Sequence, residues 1–104
     1  MKTHHENGPM KDCPPCRYRF LRASVILFAQ SFIEANPGQG TVWEEIKNFD
    51  DGLARKIIED CTDNWDVRDG EVAMVLHDLQ SAPITAADIA KEVRWIQGDA
   101  RSLQ

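Results

Sequence analysis

Residues 17–35, RYRFLRASVILFAQSFIEA, restrict the possible folds of this chain more than any other stretch. Tyr18, Leu21, Val25, Phe28, Phe32 and Ala35 recur at alternating spacings of three and four, which lays an apolar seam along one helix. Phe20, Ile26, Leu27 and Ile33 fall outside that seam, so the helix is apolar over more than one stripe. Such a helix must be covered on several sides, by other helices or by a second copy of the chain. Asn36-Pro37-Gly38 ends it, because the residue before proline avoids the helical region and glycine adopts the conformations that close a helix.

The rest of the chain reads as further helices. Thr41 with Glu44 forms a capping box before Val42, Trp43 and Ile46, predicting a short helix that ends near Phe49. Asp50 and Asp51 cap a third helix, in which Leu53, Ile57, Ile58 and Cys61 share a face. A polar loop, TDNWDVRD over 62–69, follows, with Trp65 and Val67 expected to fold back on the core. From Gly70 a fourth helix places Val72, Val75, Leu76 and Leu79 on one side and stops before Pro83. Thr85 with Asp88 opens a fifth, with Ile89, Val93 and Ile96 inward and Gly98 at its end. No stretch alternates as a strand does. The expected fold is all-α, a compact bundle of about five helices around the long central apolar helix 17–35. A flexible basic N-terminal segment, 1–12, precedes a single helical domain, 13–104. At 104 residues one core is buried without disulfides or metal being obligatory.

Charge is unevenly divided. Residues 1–22 carry five Lys/Arg against two acids, whereas residues 23–104 carry seven against fifteen. The basic residues ahead of SVILFAQSFIEA do not make a signal peptide, because Gln30, Ser31 and Glu34 interrupt the apolar run and no small-residue cleavage site follows. The run is also too broken for a membrane span. A cytoplasmic protein is expected, and three cysteines, an odd number, agree with a reducing compartment. Between Glu44 and Asp78 eleven acids face four bases, a net charge of −7. A field of that sign repels nucleic acid and attracts basic protein surfaces. Glu44, Glu45, Asp63, Asp66, Asp69 and Glu71 are therefore the candidate partner-binding residues.

Few residues suggest chemistry of their own. Cys13 and Cys16 have the spacing at which two thiolates share a zinc ion, with His4, His5, Cys61 and His77 as the obvious further ligands. A second C-x-x-C or an H-x-x-x-H is absent, and the strand and βαβ pattern that frame a thioredoxin-type pair are absent too. The reading adopted leaves both thiols unliganded, with Pro14-Pro15 stiffening the approach to the first helix, and expects no cofactor. Asp60, Asp63, Asp66 and Asp69 do not form a calcium loop. Aligning Gly70 with its obligatory glycine puts Trp65, Val67 and Leu76 at ligand positions. His77 lies toward the edge of the fourth helix's apolar face, where a structural role is expected, and no phosphate loop, nucleophile elbow or metalloprotease helix occurs. The chain is expected not to be an enzyme.

EVAMVLHDLQSAPITAADIAKEV, 71–93, resembles the first two helices of winged-helix and helix-turn-helix domains, Thr85, Ile89 and Ala90 matching T-x-x-x-I-A at the start of the second. The resemblance implies a DNA-binding transcriptional regulator. The family's DNA-reading helix would follow this segment, where only DARSLQ lies beyond Gly98. That reading is the alternative. The primary expectation is a small acidic protein-binding module, a stoichiometric inhibitor or regulator of a partner with a basic surface, and a homodimer is a further use of the surplus apolar surface. By analogy of size and charge, the partner could be a nucleic-acid-handling machine, as for phage-encoded inhibitors of host defence.

Overall fold

The computed structural model describes residues 12–38, 40–63 and 65–99. The expected flexible segment, apart from Asp12, lies outside the described residues, as do His4 and His5. Five α-helices follow in order and no strand occurs among the described residues: α1 Pro14–Ala35, α2 Val42–Lys47, α3 Asp51–Thr62, α4 Asp69–Ser81 and α5 Ala86–Arg94. The fold is an all-α bundle.

Helix α1 begins three residues earlier than the apolar period indicates, at Pro14 rather than Arg17. Cys13 is its N-cap, and Pro14 and Pro15 occupy the first helical positions, where a missing N–H costs no intrahelical bond. The prolines that read as a stiff approach are therefore the first turn itself. The capping box of α2 forms as expected: the Thr41 hydroxyl accepts from the Glu44 N–H at 3.2 Å, and a Glu44 carboxylate oxygen accepts from the Thr41 N–H at 2.9 Å. Asp50 caps α3 through the Leu53 N–H at 2.8 Å, and Thr85 caps α5 through the Asp88 N–H at 3.1 Å. Beyond Arg94 the chain widens into a π-helical turn, Trp95–Asp99, so Gly98 lies within a helical turn rather than closing one.

Helix α1 runs through the centre, with α2, α3, α4, α5 and the π-turn all packed on it. Its inward seam differs from the expected one. Leu21 and Val25 are buried, but the line continues through Ile26 and Ala29, leaving Phe28 41% exposed, Phe32 half-buried and Ala35 at the surface. Two apolar stripes compete on this helix, and the positions of the covering helices decide between them. The main core joins those residues to Val42, Ile46, Phe49, Ala54, Ile57, Ile58, Val67 and the expected face of α4, Val72, Val75, Leu76 and Leu79. A smaller cluster lies on the other side of α1, where Cys16, Phe20, Ala23 and Ile96 pack with Cys13, Leu27, Cys61, Trp65 and Trp95. Trp65 contacts both clusters.

Polar contacts seat α5 on α1. The buried carboxylate of Glu92 accepts two bonds from Arg19, at 3.1 and 2.7 Å, and one from Arg22 at 3.5 Å. Arg19 also lies over the Trp95 ring, 4.0 Å from its centre.

Candidate functional site

The α3–α4 connection carries or adjoins most of the candidate acids. It leaves α3 at Asp63, a non-glycine residue with φ of 60°, and reaches α4 at Asp69. Val67 is buried and Trp65 is half-buried against both clusters, as expected from the sequence. Two arginines from outside the loop then tie its backbone. The guanidinium of Arg17, on α1, donates to the Asp66 carbonyl at 2.5 Å and lies 5.5 Å from the centre of the Trp65 ring. Arg55, on α3, donates to the Val67 carbonyl at 3.0 Å.

The same arginines sort the six candidate acids. Glu71 forms a bidentate pair with Arg17, at 2.6 and 2.9 Å, and also accepts from the Arg68 N–H at 3.1 Å. Bonding to Arg17 holds the Glu71 carboxyl below the usual carboxylate range and raises Arg17 above its ordinary value. Asp69 pairs with Arg55 at 2.6 Å while remaining almost fully exposed. Glu44 is used in the α2 capping box, whose bonds to Thr41 lower its pKa, and Glu45 is half-buried on the same helix. Asp63 and Asp66 are exposed, with no ion pair to either carboxylate among the described residues. The structure thus gathers Asp63, Asp66, Asp69 and Glu71 on or beside one loop and leaves Glu44 and Glu45 on α2.

Sequence reasoning missed the groove beside this loop. Tyr18 and Leu21 of α1 and Met74 and Val75 of α4 line an open cleft of about 510 Å³, together with the acids Asp12, Asp66 and Glu71 and the bases Arg17 and Arg68. Met74 is 51% exposed, and its position off the Val72–Val75–Leu79 face was the available signal. The Tyr18 hydroxyl donates to Asp78, and burial together with that bond pushes its pKa up to about 12.

Other candidate chemistry is dispersed. His77 is exposed rather than at the edge of the core, and the Ser81 hydroxyl 3.5 Å from its ring donates instead to the His77 carbonyl, at 2.5 Å. That bond ties the serine hydroxyl to its own helix. Among the described residues no group of three or more His, Cys, Asp or Glu side chains is arranged to hold a metal ion. Helices α4 and α5 have the short connection of a helix-turn-helix, but α5 packs principally on α1 and the π-turn, whereas α4 packs on α3, α1 and α2. No described helix is long and apolar enough to cross a membrane. Comparison with protein-family models, curated proteins and solved structures finds no match to this chain.

Proposed function

We propose that the chain is a small acidic, non-enzymatic binding module that covers a basic surface on a protein partner and so acts as its stoichiometric inhibitor or regulator. The observation that carries this reading is the tied loop: Arg17 and Arg55 bond its backbone carbonyls, while the Asp63 and Asp66 side chains remain exposed. Arg17, Arg19, Arg22 and Arg55 all pair with the chain's own acids, so they offer little positive charge to a phosphate backbone. Backbone held at Asp66 and Val67 before binding loses less conformational entropy when it docks. In the adjacent groove the exposed Met74 and the half-buried Tyr18 offer apolar surface to a partner side chain, beside Asp66 and Glu71. Nucleic-acid-handling machines expose basic surfaces of this kind and are the partner class in view.

The test is charge reversal at acids that form no ion pair among the described residues. Asp60→Lys, Asp63→Lys and Asp66→Lys together keep the helical spectrum, whereas reversing Asp69 would also break its pair with Arg55. Wild-type and reversed chains are used side by side as affinity baits, followed by binding kinetics on the purified partner. The expected partner is a basic protein that binds the wild type, associates more slowly as salt rises, and is lost by the reversed chain. Sequence-selective duplex DNA binding by the wild type, strengthened by the reversal and lost on Arg94→Ala, would establish the regulator reading instead.

A further inference from the structure

The Cys13-Pro14-Pro15-Cys16 segment is independent of the acidic loop's proposed role, and its geometry is specific. Cys13 is the N-cap of α1 and Cys16 the third residue of the helix. In a capping box the side chains at these two positions reach each other's backbone N–H groups; here both carry thiols, and the thiols meet each other instead. The two Sγ atoms are 3.0 Å apart, joined by a thiol hydrogen bond, and no disulfide is present. Two thiolates on a tetrahedral zinc ion, with Zn–S near 2.3 Å, would be separated by about 3.8 Å. The observed separation is shorter than the zinc-bridged one, and no third ligand group stands with the pair among the described residues. The pair joins the N-cap to the first turn of α1, and the side chains already meet across that turn.

We propose that Cys13 and Cys16 form a reversible thiol–disulfide site that exchanges with small-molecule disulfides, Cys13 attacking and Cys16 resolving. Accessibility sets the order of events. Cys13 is half-buried and reachable from solvent, whereas Cys16 is 9% exposed beneath it, against Phe20 and Ile96. Burial and the neighbouring Cys13 push the Cys16 thiol up to about 11 in the reduced pair, so Cys16 is not the attacking thiolate. In the first step the Cys13 thiolate attacks one sulfur of a disulfide such as oxidised glutathione; the S–S bond breaks, one small thiolate leaves, and a mixed disulfide forms. The Cys16 sulfur then attacks the Cys13 sulfur, its proton passing to the departing thiolate, and the second small thiol is released. Two protein thiols are oxidised and one small disulfide is reduced to two thiols. Cys61 packs against the same cluster and takes no part in the exchange.

The experiment equilibrates the full chain with mixtures of reduced and oxidised glutathione, alkylates the remaining thiols, and locates the products by intact-mass and peptide mass spectrometry. The expected product is one intrachain bridge between Cys13 and Cys16, reversed by dithiothreitol, with Cys61 alkylated in both states. Cys16→Ser is expected to accumulate the Cys13–glutathione adduct roughly ten-fold over wild type, because nothing resolves it. Cys13→Ser, which alters the more exposed thiol and serves as the folding control, is expected to accumulate none. Three results would overturn the proposal: both thiols still alkylated in oxidised glutathione, a bridge formed through Cys61 or between chains, or one zinc ion per chain released only when Cys13 and Cys16 are modified.

Discussion

Asp63 closes α3 with φ of 60° and ψ of −100°, a backbone region that L side chains seldom occupy. Its N–H still bonds the Glu59 carbonyl at 3.1 Å, so the turn satisfies the helix end at the expense of local strain. The carboxylate makes no ion pair among the described residues and contributes nothing visible in return. Asp63→Gly is therefore expected to stabilise the fold by about 0.5–1 kcal/mol, seen as a melting temperature a few degrees higher. A lower melting temperature would mean that the aspartate stabilises the turn.

At the scale of elements, short pieces depend on side chains from distant ones. Helix α2 has only six residues, too few to hold itself together, and Gln80 of α4 completes its end. The Gln80 amide donates to the carbonyls of Ile46 at 3.0 Å, Lys47 at 3.3 Å and Phe49 at 3.0 Å, all at the α2–α3 junction. Gln80→Ala is expected to cost about 1–2 kcal/mol and to speed hydrogen exchange in α2 ahead of the other helices. Uniform acceleration across all helices would show that α2 does not open separately. The α1–α4 junction depends instead on pH. Glu71 titrates below its ordinary value in the folded chain because of Arg17, so its contribution is fully present above the unfolded carboxylate pKa and is lost as pH falls through the folded one. Melting temperature should therefore decline below about pH 4.5, the ordinary carboxylate value, and Glu71→Gln should flatten part of that decline. An unchanged acid slope in the variant would remove this pair from the account.

For the whole molecule, two apolar clusters on opposite sides of α1 share its stability, and Phe20 connects the smaller one to the α3–α4 loop. Its ring lies 4.9 Å from Trp65 and 6.3 Å from Trp95, centre to centre, and is 1% exposed. Phe20→Ala is expected to cost about 3–5 kcal/mol, a large share of the roughly 5–15 kcal/mol that holds a domain of this size. Tryptophan fluorescence should then shift together with helix loss in a single transition. A fluorescence change well before helix loss would show that the smaller cluster melts alone.

Local periodicity and capping were readable from the sequence because their interactions span only three or four residues: Thr41 with Glu44, Asp50 with Leu53, Thr85 with Asp88, and the Val72–Leu79 face of α4. The sequence by itself thus determined an all-helical chain, the inward faces of α3 and α4, and the return of Trp65 and Val67 to the core. It also marked the acidic segment. Tertiary structure alone decided which of two stripes on α1 faces inward and which acids remain available on the surface. Arg17 meets Glu71 across 54 positions and Arg19 meets Glu92 across 73, separations at which no local spacing rule operates. Charge totals are additive along a chain, whereas pairing depends on distances in space, so only the fold could separate the acids that hold the bundle together from those it presents outward.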